Sequence, residues 1–124
     1  MLTHSVNPDN GAAWHGRGHA LGALGHHEEA SAAYDKAIAI NQDDDVAWLH
    51  KGVAFEGLGH PEKAIAAFDK AIEINPDFAE AWAYKGLTLS KLGRHEEALG
   101  AYDKAVEINP DLKTALQRQR NIQP

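Results

Sequence analysis

Apolar and small residues return along this chain in a fixed order. Trp14, Trp48 and Trp82 lie 34 residues apart. The same shift superposes Gly18, Gly52 and Gly86, then Gly25, Gly59 and Gly93. It also superposes Ala30, Ala64 and Ala98, then Tyr34, Phe68 and Tyr102, then Ala37, Ala71 and Ala105. Within one copy, Trp48, Gly52 and Phe55 are spaced by four and three, as are Ala64, Phe68 and Ala71. Each set marks one face of a helix with 3.6 residues per turn. A copy therefore predicts two helices, parted by a glycine (Gly59 and its equivalents) that tolerates a left-handed C-terminal cap. Self-similarity at such a period signals a repeat architecture, in which each unit buries its apolar face against its neighbours.

Three units are expected, at residues 11–44, 45–78 and 79–112. Asn7-Pro8-Asp9, Asn75-Pro76-Asp77 and Asn109-Pro110-Asp111 each precede a new unit. Proline ends the preceding helix, and aspartate is a good N-cap for the next. Asp77 with Glu80 fits a capping box. The first triplet has no helix to end, so residues 1–10 resemble the close of a preceding repeat, and the chain reads as cut or descended from a longer array. Second helices open on acidic residues suited to a positive N-terminus: Glu28-Glu29, Glu62 after Pro61, and Glu96-Glu97. Gly52 and Ala64 are expected to let the paired helices approach closely, with Phe68 and Trp48 filling the remaining volume. Residues 113–124 begin like a fourth first helix, Leu116 standing where tryptophan would, and then turn polar. That composition suits a C-terminal capping helix that keeps the end of a stack soluble.

Trp, Gly, Tyr or Phe, Ala and Pro at these offsets resemble the tetratricopeptide repeat (TPR), over about residues 7–116. The resemblance implies an all-α fold: an α-solenoid of three tandem helix-turn-helix units plus the capping helix, wound as a right-handed superhelix. It also implies that the first helices line a concave groove and that the protein is a non-catalytic protein–protein interaction scaffold. The candidate peptide-binding residues are then His15, His19, Leu49, Val53, Glu56, Ala83, Leu87, Ser90 and Lys91. Their centre is small and apolar and their borders polar, which suits a peptide or helix laying apolar side chains into the groove. Departures are modest: Gln42 stands where the other units carry Pro76 and Pro110, and Leu21 and Leu89 replace a common aromatic. Chaperone-binding members hold a terminal carboxylate with Lys, Asn and Arg. The matching positions here are His15, His19, His50, Glu80 and Tyr84, so chaperone tails of that kind are not supported as partners.

Composition narrows the alternatives. Eighteen acidic residues against twelve basic ones give a formal net charge of −6, which argues against nucleic acid as a partner. The chain lacks cysteine, excluding disulfides and thiolate metal sites. No stretch approaches the roughly 18 continuous apolar residues of a membrane span, and no signal peptide is visible. A cytoplasmic protein is expected, without a membrane partner. His15 and His19 lie four apart, a spacing at which two imidazoles can share a metal, with His50 a third candidate. The His-Glu-x-x-His motif is missing, however, and the histidines read as groove or surface residues, so no metal or other cofactor is assigned. Phosphate loops, nucleophile elbows and strand patterns are absent, and an enzyme is not expected. Besides the scaffold, self-association by end-to-end stacking or element exchange fits a repeat array with unpaired ends, giving a homo-oligomer.

Overall fold

The computed structural model describes residues 10–122, with side chains through 117. The expected repeat end at residues 1–10 lies outside the described residues, apart from Asn10. Among the described residues the chain is all-helical, with α1 (Gly11–Ala23), α2 (His27–Ile40), α3 (Asp45–Gly57), α4 (Pro61–Ile74), α5 (Ala79–Lys91), α6 (His95–Ile108) and α7 (Leu112–Ile122). The helices pair as α1–α2, α3–α4 and α5–α6, each pair packs on the next, and α7 rests against α6.

The turn inside each pair is set by one glycine. Gly25, Gly59 and Gly93 hold φ of 81°, 78° and 80°, a region where a Cβ is costly. That geometry closes a Schellman motif: the His60 N–H donates to the Phe55 carbonyl at 2.9 Å and the Gly59 N–H to the Glu56 carbonyl at 3.0 Å. The turn between pairs is built differently from expectation. Asp77 is not the N-cap of α5; that position belongs to Phe78, which makes no side-chain cap bond. Asp77 instead donates its backbone N–H to Asn75 Oδ1 at 3.2 Å, as Asp43 does to Asn41 and Asp111 to Asn109. An asparagine side chain that mimics a backbone turn wins over the capping box. Only the equivalents one residue later cap: Asn10 accepts from the Ala13 N–H and Asp44 from the Ala47 N–H.

Close approach within a pair centres on an aromatic ring. A Cβ on Gly52 would lie 2.4 Å from Phe68 Cε1, one on Gly86 2.7 Å from Tyr102 Cδ1, and one on Gly18 2.7 Å from Tyr34 Cζ. The first-helix glycine is thus the seat of the second-helix ring, more than a partner for Ala64. Phe68 is fully buried in a cluster with Leu49, Ala64, Ala71 and Ala81, and Trp48 packs against its edge. Since Ala81 belongs to α5, this cluster joins one pair to the next. Across the same junctions run repeated ion pairs, Lys51–Asp35 at 2.6 Å and Lys85–Asp69 at 2.7 Å. At the C-terminal end Leu116 of α7 is buried with Tyr102 and Ala105, closing the stack.

Candidate functional site

The first helices α1, α3 and α5 lie side by side, and two adjoining clefts open along them. One, of about 240 Å³, is lined by His19 of α1, His50, Val53 and Ala54 of α3, Tyr84 of α5, and His27, Ala30 and Tyr34 of α2. The second, of about 340 Å³, is lined by Val53, Glu56, Tyr84, Leu87 and Lys91. Val53 and Tyr84 belong to both and form the wall between them. Tyr84 is 40% exposed, and its ring stacks on Phe68 with centroids 5.7 Å apart and planes at 19°. The buried Phe68 thereby fixes an exposed ring. Across the second cleft Lys91 Nζ lies 3.1 Å from Glu56 Oε1, so the charges at that end neutralise each other.

The first cleft has a different character. His15 Nε2 lies 2.5 Å from Asp44 Oδ2, while Asp44 Oδ1 caps α3. One carboxylate thus holds both the start of α3 and an imidazole of α1. Centroids of the His19 and His50 rings lie 6.2 Å apart at 72°, and His50 stacks on Tyr34 at 5.5 Å and 20°. Burial holds the His50 imidazole below the usual histidine range, His15 and His19 push it further down, and Asp44 opposes them. Burial also raises the Tyr34 hydroxyl above its ordinary value.

Of the candidate groove residues, His19, Val53, Glu56, Leu87 and Lys91 line the clefts. His15, Leu49, Ala83 and Ser90 do not. Leu49 is only 6% exposed and belongs to the core around Phe68. Ala83 is half-buried against the core of the last pair, and His15 is held by Asp44. The residues that do line the first cleft include His50 and Tyr84, one position later in the repeat than Leu49 and Ala83. One residue is about 100° of helix rotation, enough to turn a wall residue into a core one. His27 is the first residue of α2. It packs where a Cβ on Gly57 would stand, 2.5 Å from its Cε1, and so closes one side of the cleft.

His15, His19 and His50 lie near one another around the first cleft. Among the described residues no three His, Cys, Asp or Glu side chains are placed to hold a metal ion. Nor, among them, is any helix long and apolar enough to cross a membrane.

Comparison with known proteins agrees with this architecture. The profile of a family described as Tetratricopeptide repeat matches residues 15–77 and 49–113. No curated protein sequence matches the chain. Among solved structures, the crystal structure of MamA is similar at 28% identity and a TM-score of 0.80, over 87% of this chain and 63% of that one. YrrB, described as a TPR protein with an unusual peptide-binding site, is similar at 28% identity and a TM-score of 0.80, over 90% of this chain and 57% of its own. The chain therefore spans about three fifths of the length of these two relatives. The first TPR of Spaghetti (RPAP3), bound to the HSP90 peptide SRMEEVD, shares 19% identity over 94% of both chains with a TM-score of 0.81, a likeness of fold.

Proposed function

Because the chain belongs to the tetratricopeptide repeat family, we propose that it is a non-catalytic scaffold that binds a peptide or helix of a partner protein along α1, α3 and α5. The observation that carries this reading is the pair of adjoining clefts divided by Val53 and Tyr84. Two recesses with a shared apolar wall suit successive side chains of one bound segment, each burying apolar surface on either side of Tyr84. The likeness to YrrB, itself described as having a peptide-binding site, supports the same use of the surface. The binding residues on this reading are His19, His50, Val53, Glu56, Tyr84, Leu87 and Lys91. Units 11–44, 45–78 and 79–112 act together, since the first cleft draws on all three first helices and the second on α3 and α5.

Selection of binders from a random heptapeptide display library tests the proposal. Enriched peptides should lose most of their binding to Tyr84→Ala, because an exposed aromatic wall is a natural anchor for interface energy. Circular dichroism should stay unchanged. Undiminished binding to a folded Tyr84→Ala protein places the interaction on another face and sinks this reading.

A further inference from the structure

We infer that the face of α3 turned away from both clefts carries a second docking site, for a protein segment that presents an aromatic side chain with an acidic residue beside it. Trp48 and Phe55 share one side of α3. With Ala66 and Ala67 of α4 they line a recess of about 340 Å³, rimmed by Lys63 and Lys70. Val53, in the wall between the clefts, stands two residues before Phe55, or about 160° away around the helix. A segment in the recess therefore leaves the clefts open. Both rings are half-buried against the core around Phe68, which fixes them before anything binds. The recess is also peculiar to the middle unit. Trp48, Ala67 and Lys70 recur in all three units, as Trp14 and Trp82, Ala33 and Ala101, and Lys36 and Lys104. Phe55 and Lys63 do not: the other units carry Leu21 and Leu89, and Glu29 and Glu97, at those places. The two changed residues meet, with Lys63 Nζ 6.0 Å from the centre of the Phe55 ring.

Charge decides the sign of the partner. Lys51 Nζ lies 5.1 Å from the Trp48 ring centre and 5.7 Å from that of Phe55, so three lysines surround the two rings. Two are answered within the chain, Lys51 by Asp35 and Lys70 by Glu73. Lys63 makes no ion pair among the described residues. It is also the third residue of α4, where the positive helix end favours an acid and disfavours a cation. A carboxylate brought by a partner offsets both. The chain's net charge of −6 draws basic partners to most of its surface, whereas these lysines turn a basic segment away. The rings supply the other half of the preference. An aromatic side chain set edge-on or offset against Trp48 and Phe55 gains more than the area it buries. The small Ala66 and Ala67 leave room for it beneath.

The random heptapeptide display library, selected on the Tyr84→Ala protein, separates this site from the groove, because Tyr84 lines both clefts and not the recess. Enriched sequences should pair Trp, Phe or Tyr with a neighbouring Asp or Glu. Phe55→Leu and Lys63→Glu install residues that the other units already carry, and circular dichroism should show both variants folded. Phe55→Leu should weaken a selected peptide about threefold or more, the scale of one ring–ring contact. Lys63→Glu, which turns an attraction into a repulsion, should weaken it roughly tenfold at low salt and much less at about 1 M salt. A groove peptide should do the reverse, losing its binding to Tyr84→Ala and keeping it with Phe55→Leu. Leu21→Phe with Glu29→Lys rebuilds the pair on the first unit, beside Trp14, Ala33 and Lys36, and should raise the stoichiometry from one peptide to two. Enriched peptides that lack an acid, or that survive both Phe55→Leu and Lys63→Glu, overturn the inference and leave the groove standing. So does a selection on Tyr84→Ala that enriches nothing.

Discussion

The seat of Phe68 on Gly52 yields the sharpest quantitative expectation. Gly52→Ala places a Cβ 2.4 Å from Phe68 Cε1, 2.7 Å from Cδ1 and 3.0 Å from Cζ. The ring cannot swing aside, because Phe68 is fully buried and is also stacked under Tyr84. Overpacking of this kind costs about 1–3 kcal/mol. Alanine also gains about 1 kcal/mol of helix propensity over glycine, so the net loss should be about 0–2 kcal/mol. Gly100 on α6 is the internal control. A Cβ there meets no described heavy atom within 4 Å, and the equivalent positions already carry Ala32 and Ala66. Gly100→Ala should therefore stabilise by about 1 kcal/mol, the propensity gain alone. At this chain length each kcal/mol moves the melting temperature by about 4 °C, so the two substitutions should shift it in opposite directions. Phe68→Leu combined with Gly52→Ala should cost less than the sum of the two, since the smaller side chain vacates the seat. Equal rises in melting temperature for Gly52→Ala and Gly100→Ala would refute the glycine-seat account.

Two further expectations concern α1 and His50. Helix α1 carries Gly16, Gly18 and Gly22, each costing about 1 kcal/mol relative to alanine, and among the described residues it packs on α2 with only slight contact to α3. Its amides should exchange with solvent faster than those of α3, and equal protection in hydrogen exchange would count against it. A depressed His50 pKa means that the folded chain binds this proton less readily than the unfolded one. The stability due to neutral His50 is complete above the unfolded value of about 6.5 and is lost as pH falls through the lower folded value. His50→Gln should flatten that acid limb in denaturant titrations; an unchanged slope between about pH 5 and pH 7 removes His50 from the explanation.

The fold was legible because its signals repeat. A glycine at 25, 59 and 93 predicts a left-handed cap three times over, and all three take it. The tryptophan, glycine and aromatic positions likewise become core or near-core in every pair. The clefts were read less well, and the reason is rotational. Sequence alone does not fix which flank of a first helix meets the second helix and which stays open. The apolar Leu49 was a natural choice for a groove floor, yet it turns into the core, and His50 beside it turns outward. Tyr34 lines the cleft from a second helix, where the packing role of its position hid it. The His15–Asp44 contact joins α1 to the start of α3, 29 residues on, a relation that no local pattern encodes. Likewise the Asn-Pro-Asp triplet announced a turn but did not say whether Asn or Asp would hold it.

The ion pairs at the junctions carry a consequence for how such a chain can change length. Lys51 reaches back to Asp35 and Lys85 reaches back to Asp69, so the unit at 45–78 presents an acid forward and a base behind. The joints are interchangeable in kind. A duplicated copy of residues 45–78 would bring its own lysine to the preceding aspartate and its own aspartate to the following lysine. Gain of a unit therefore requires no new complementary pair, and neither does its loss. Arg17 and Asp103 occupy the equivalent places in the first and third units, so all three units carry the same polarity. Growth by whole units preserves the joints, whereas insertion of a fragment breaks one.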